Sequence, residues 1–205
     1  MGKIYTFNNK IVTINNKWAE EYVEPTPPAQ DEVTIGTQTW KNANLAVDDG
    51  GTGIKTTDNV TANGVNFGTQ YYYTWDAAMR IANSISGWHL PTQAEWETLV
   101  EYVGNGSSSE ASYKLRSTTG WNENNNGTDD YGFSVIPVGY KMSSDDGTYE
   151  IGWNGNLWSS TEGSDTSKAY YTSMGQSMWG NWYLSTSYIW NKSESYYSVR
   201  LIKDT

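Results

Sequence analysis

Gly87-Trp88-His89-Leu90-Pro91-Thr92-Gln93-Ala94-Glu95-Trp96-Glu97-Thr98-Leu99 is the most strongly patterned stretch of the chain. Thr92 with Glu95 three residues on makes a capping box: the Thr side chain accepts from a free helix N–H, and the Glu side chain reaches back to the Thr N–H. A helix therefore opens after Thr92. Trp96, Leu99, Val100 and Val103 fall on one stripe of it, the pattern of a helix packed on a core. Upstream, Trp75-Asp76-Ala77-Ala78-Met79-Arg80-Ile81-Ala82 has apolar residues at helical spacing and predicts a second helix.

On either side the pattern changes. Val33 to Trp40 reads as a strand with a bend at Gly36, and after about residue 117 short strand-like pieces alternate with Gly/Asn/Asp/Ser loops to the end. The expected class is α+β, with two helices early and an irregular antiparallel sheet late. Lys3 to Phe7 and Lys10 to Ile14 are rich in β-branched and aromatic residues and flank Asn8-Asn9, a hairpin signal. Glu24 to Gln30 holds three of the five prolines and predicts an extended linker. The organisation expected is a hairpin extension over 1–23, a Pro-rich linker over 24–32 and one ligand-binding domain over 33–205. A lone hairpin is marginal in water, so 1–23 is expected to pack on its own domain or to join copies into a homo-oligomer.

Composition excludes much. The 205 residues include no Cys, so disulfides, thiolate zinc sites and cysteine nucleophiles are ruled out. The net charge of −10 argues against a nucleic-acid partner. No apolar run is long enough for a membrane span. The first residues lack the apolar core of a secretory signal. Eleven Trp and sixteen Tyr against three Phe favour rings with a polar tip.

Further motifs join the first one in order: Ile35-Gly36-Thr37-Gln38-Thr39-Trp40 with Asn44-Leu45, Lys114 to Trp121, Gly127 to Ser134, Trp158-Ser159-Ser160-Thr161-Glu162, and Ser198-Val199-Arg200. Together, over about 33–203, they resemble the Fibrobacter major paralogous domain family. The resemblance implies a C-type-lectin-like fold related to the formylglycine-generating enzymes. It also implies kinship with the variable proteins of diversity-generating retroelements, which display a hypermutated surface on phage tails or cell surfaces. The catalytic cousins depend on cysteine, and this chain has none, so it is expected not to be an enzyme. Where the family has Gly before the aromatic of its terminal motif, this chain has Tyr196.

Tyr170 to Tyr197 concentrates nine aromatic rings and six serines around only two charges, Lys192 and Glu194. Rigid rings beside small polar residues are the composition of a paratope. Strand alternation should bury about half of the rings and expose the rest. The candidate ligand-binding residues are Thr172, Gln176, Trp179, Asn181, Tyr183, Ser185, Ser187, Tyr188, Trp190 and Tyr196. The relatives carry their variable region here, and several of these residue types are reachable from Asn codons by adenine mutation.

Asn122 to Asp130 imitates the front of an EF-hand loop but has Phe133 where the twelfth-position Glu belongs. No cofactor is expected, with calcium the minor alternative, and Asp129 and Asp130 read as turn residues. His89, the only histidine, is read as a structural hydrogen-bonding residue. The function expected is recognition of a protein or glycan on a cell surface, by the receptor-binding part of a phage virion or by a bacterial surface adhesin. The alternative is a structural or assembly subunit with no external ligand.

Overall fold

The computed structural model describes residues 4–7, 10–13, 31–176 and 182–205. The chain divides into two compact units, Met1–Gln30 and Asp31–Thr205. In the first, β1 (Ile4–Phe7) and β2 (Lys10–Thr13) pair antiparallel with Phe7 opposite Lys10. That is the hairpin expected around Asn8-Asn9. The prolines of the linker lie outside the described residues.

The second unit opens with β3 (Glu32–Ile35) and β4 (Gln38–Lys41), followed by β5 (Ile54–Thr57), β6 (Thr61–Ala62), β7 (Val65–Asn66) and β8 (Gln70–Tyr73). Then come α1 (Trp75–Ala82), β9 (Trp88–His89), α2 (Gln93–Gly104) and α3 (Ser108–Leu115). The remainder is β10 (Tyr140–Met142), β11 (Thr148–Tyr149), β12 (Asn154–Glu162), β13 (Lys168–Gln176), β14 (Trp182–Asn191), β15 (Ser195–Tyr196) and β16 (Ile202–Lys203). This is an α+β protein, mostly strand, with every named strand pair antiparallel.

Two expectations need correction. The strand read across Val33 to Trp40 is a hairpin, because Gly36 at φ +61° turns the chain back and pairs Ile35 with Gln38. There are three helices among the described residues rather than two. Ser107 caps α3 by accepting from the Glu110 N–H, a start signal hidden in a short polar run. α3 is held because Ala111, Ser112 and Leu115 are buried.

The two expected helices form for the expected reasons. In α2, Thr92 Oγ1 accepts from the Glu95 N–H at 3.2 Å and Glu95 Oε2 accepts from the Thr92 N–H at 2.7 Å. Trp96, Leu99 and Val103 are buried and Val100 partly so. Their core gathers Trp40, Trp96 and Phe133, with Trp40 and Trp96 4.8 Å apart and Phe133 set edge-on to both. Such pairs add about 0.5–1.5 kcal/mol each beyond the area they bury. The beginning and end of this unit meet here: β16 pairs with both β4 and β9, through Ile202 opposite Trp40 and His89.

Arg200, fully buried, ties the loops to this frame. It donates to the carbonyls of Lys41, Phe133 and Ser134 and to Asn44 Oδ1. Burial pushes its pKa down to about 9, which leaves it a cation at neutral pH. The Ser-Val-Arg motif therefore works as a knot of backbone contacts.

Candidate functional site

The long strands β12, β13 and β14 form one sheet in that order. Its register divides their side chains between two faces, since directly paired residues share a face. Leu157 pairs with Thr172, and Met174 with Leu184. All four are buried, and Leu157, Met174 and Leu184 share a core with residues of α2 and α3. On the other face Trp158 pairs with Tyr171 and Tyr171 with Tyr188. Next to them Asn156 pairs with Ser173 and Ser173 with Ser185; beyond these, Asn154 pairs with Gly175 and Gly175 with Tyr183.

A β-bulge decides the outer face. Between Tyr171 and Ser173 on β13 there is one residue, but between Ser185 and Tyr188 on β14 there are two. Strict alternation from Tyr183 and Ser185 would put Ser187 on this face and turn Tyr188 inward. The extra residue brings Tyr188 round to the side of Tyr183. Their rings meet at 6.0 Å and 90°, and Tyr188 also stacks on Tyr171 at 5.6 Å.

The rings continue into other segments. Tyr171 meets Tyr197 at 4.6 Å, Tyr197 meets Tyr140 at 5.9 Å, and Tyr140 stacks on Tyr149 at 5.7 Å. Six tyrosines thus run in contact across the unit from Tyr183 to Tyr149, and the run is open at Tyr149, 40% exposed, and at Tyr188, 43% exposed and next to the Tyr183 end. Trp158 supports the middle at 4.5 Å from Tyr197 and is anchored by its N–H to the Tyr73 carbonyl. Burial pushes the Tyr171 phenol up to about 12 and also raises those of Tyr140, Tyr183 and Tyr197. These phenols are neutral at physiological pH and act as hydrogen-bonding groups rather than phenolate nucleophiles.

Polar groups sit beside the rings. Ser173 Oγ and Tyr183 Oη lie 3.3 Å apart. Asn154 Nδ2 donates to Glu150 Oε2 at 2.6 Å. The buried carboxamide oxygens of Asn154 and Asn156 have no hydrogen-bond partner among the described residues, an arrangement that costs about 1–3 kcal/mol per group.

The sequence candidates are distributed unevenly over this surface. Tyr183, half-buried, ends the array and the exposed Tyr188 stands next to it. Trp190 is 44% exposed beyond it. Ser185 and Ser187 lie at the bulge with their hydroxyls 3.2 Å apart. Thr172 requires correction: its pairing with Leu157 turns it to the helix side, where it is fully buried and out of reach of a ligand. Tyr196 also leaves the array. It packs against the cluster of Val60, Tyr72 and Val138 under the ammonium of Lys55, 5.0 Å from its ring centre. The Gln176 side chain, Trp179 and Asn181 lie outside the described residues.

Sequence reasoning missed Tyr140, Tyr149 and Glu150 altogether, and it counted Tyr171 and Tyr197 without assigning them to the site. For Tyr140 and Tyr149 a signal was present, because they flank the turn Ser144-Asp145-Asp146-Gly147 as a hairpin would.

The other motifs are occupied structurally. His89 Nδ1 bonds Asp204 Oδ1 at 2.7 Å and Nε2 bonds Glu95 Oε1 at 2.9 Å, so it clasps the C-terminal strand to the cap of α2. In the EF-hand-like loop Asn126 Oδ1 accepts from the Trp121 N–H and Asp129 Oδ1 from the Ser134 N–H. These are turn contacts. Among the described residues no three His, Asp or Glu side chains gather as a metal site, and no helix is long and apolar enough to cross a membrane.

No curated protein and no solved structure matches the chain. The family model described as the Fibrobacter succinogenes major domain matches residues 33–203. That span takes in the capped helix α2, the buried Arg200 and all three strands of the tyrosine-bearing sheet, and the chain belongs to the Fibrobacter succinogenes major domain family.

Proposed function

We propose that this protein is a non-catalytic recognition module of C-type-lectin-like kind, and that the tyrosine face of the β12–β13–β14 sheet is its binding surface. The ligand is a protein or glycan displayed on a cell surface. The protein serves as the receptor-binding part of a phage tail or as a bacterial surface adhesin. The observation that carries the reading is the run of six touching tyrosines, exposed at Tyr188 and Tyr149 and flanked by buried amide oxygens that lack a donor among the described residues. Aromatic rings with two side-chain torsions give contact area at low entropic cost, and buried unpaired acceptors supply selectivity once a ligand donor reaches them. The cysteine that the formylglycine-generating relatives use is missing, which supports the non-catalytic role. Resemblance to retroelement-diversified proteins extends the reading: on it, residues 170–197 should vary between isolates while the scaffold motifs stay fixed.

The test is binding of the labelled full chain to intact bacterial cells and to a glycan array, with Tyr188→Ala and Trp190→Ala compared with wild type. Loss of binding at unchanged circular dichroism supports the surface, and equal binding by both variants rejects it. An assembly role is the second reading. It is favoured by Tyr188, Ile189 and Trp190, three consecutive side chains more than 40% exposed on the edge strand β14, where another chain could pair. A concentration-dependent oligomer that hides Tyr188 would select it.

A further inference from the structure

Glu150 stands in the turn between β11 and β12 at φ +59°, a conformation that L side chains rarely adopt and that tends to persist at functional sites. The turn is clamped. The Glu150 carbonyl accepts the N–H groups of Trp153 and Asn154 at 3.0 and 3.1 Å. A Cβ added at Gly139 would come within 1.8 Å of the Tyr149 carbonyl oxygen, so the backbones are in close contact. The Glu150 residue is exposed, and Asn154 Nδ2 holds Oε2. Glu150 directly follows Tyr149, which stacks on Tyr140, and its partner Asn154 pairs across the sheet with Gly175, which in turn pairs with Tyr183, a ring joined through Tyr188 to Tyr171.

Each element of this corner attracts positive charge. Ring faces carry the negative part of the aromatic quadrupole, the carboxylate adds a full charge, and the oxygens of Asn154 and Asn156 are acceptors without donors among the described residues. Nearby lysines are engaged elsewhere. Lys55 donates to the carbonyls of Met142 and Asp145, Lys141 to that of Asp146, and Lys192 pairs with Glu162 above the Trp75 ring.

We propose that Glu150, beside Tyr140, Tyr171 and Tyr183, takes a protonated primary amine of the ligand against the tyrosine faces. The assignment rests on the reading of the tyrosine face as the binding surface and gives that surface a chemistry. A quaternary ammonium would also suit the rings but has no N–H for the carboxylate and amide oxygens, so the acceptor set favours the primary amine. Such an amine is carried by a lysine side chain or by an amino sugar.

The test is titration of the full chain with Nα-acetyl-lysine amide, glucosamine, their side-chain N-acetylated counterparts and tetramethylammonium, followed by NMR of the tyrosine rings. The expected result is a saturable shift of the Tyr171 and Tyr183 signals with one or both amines and none with the acetylated compounds or tetramethylammonium. Response to the lysine probe alone makes the ligand a protein, and response to glucosamine alone makes it a glycan. Glu150→Gln should weaken amine binding about tenfold, as loss of one charge near contact distance at a partly exposed site implies. Glu150→Asn, which tolerates the left-handed backbone better, should do the same if Gln disturbs the turn. Equal response to the acetylated probes, no response of wild type to either amine, or unchanged affinity in both variants overturns the proposal. If these fail while Tyr188→Ala still abolishes cell binding, the tyrosine surface stands and the amine assignment alone falls.

Discussion

The two faces of the β12–β13–β14 sheet use the same strands for opposite ends. Toward α2 and α3, Leu157, Met174 and Leu184 are apolar and sealed. On the other side Tyr171, Tyr183 and Tyr188 are joined with Ser173, Ser185 and the Asn154 and Asn156 amides, and the surface ends in open rings. On the proposed function, stability and recognition would be assigned to alternate residues of the same three strands. Only the open rings Tyr188 and Tyr149 can change at little cost to folding, because Trp158 and Tyr197 belong to a second buried cluster, with Tyr171 packed against it, and the inner face carries the rest of the packing.

Substitutions can break or sharpen this contrast. Trp96→Ala, on the closed side, should cost about 3–5 kcal/mol in denaturant unfolding, since a buried ring leaves a cavity that the packed Trp40 and Phe133 cannot fill. Thr172→Val should have the opposite sign. The Thr172 hydroxyl is buried without a partner among the described residues, and replacing it by a methyl group should raise stability by about 1 kcal/mol. A loss of cell binding in this variant would instead show Thr172 reaching the ligand.

Tyr188→Ala should cost about 1 kcal/mol, the low end for its two ring contacts at an exposed site, while removing cell binding. If it costs as much as Trp96→Ala, the outer face is core and the contrast fails. The smallest effect is pH-linked and belongs to the frame. Desolvation is the largest single influence on His89 and lowers its pKa, but the hydrogen-bonded carboxylates of Asp204 and Glu95 together outweigh it and raise the pKa above 6.5. The folded state therefore binds this proton more tightly. The added stability is fully present below pH 6.5 and lost as pH rises through the folded value. The unfolding midpoint should fall as pH rises above 6.5 in wild type, and His89→Gln should remove that part of the slope.

How much of this was legible in the sequence follows from the range of the interactions. The start of α2 at Thr92, its buried stripe and the α1 boundaries could be read because capping and helical spacing act within about four residues. α3 was missed, since Ser107 to Leu115 has a cap but a weak apolar pattern, and its burial comes from β14 and α2. The concentration of rings between 170 and 197, the lack of thiol chemistry and the family motifs were also plain from residue identity alone.

Only the tertiary structure decided which rings meet. Thr172 and Tyr188 fell on opposite faces because pairing with Leu157 turned one inward and a single extra residue at the bulge turned the other outward. A one-residue change in register reverses the facing of every side chain beyond it. Tyr140, Tyr149 and Glu150 joined the site from an earlier hairpin, while Tyr196, adjacent to Tyr197, was turned away to Lys55. Local composition determined that this protein would have aromatic surface to offer. Long-range strand pairing, which short-range propensity does not encode, determined where that surface is and that a carboxylate stands beside it.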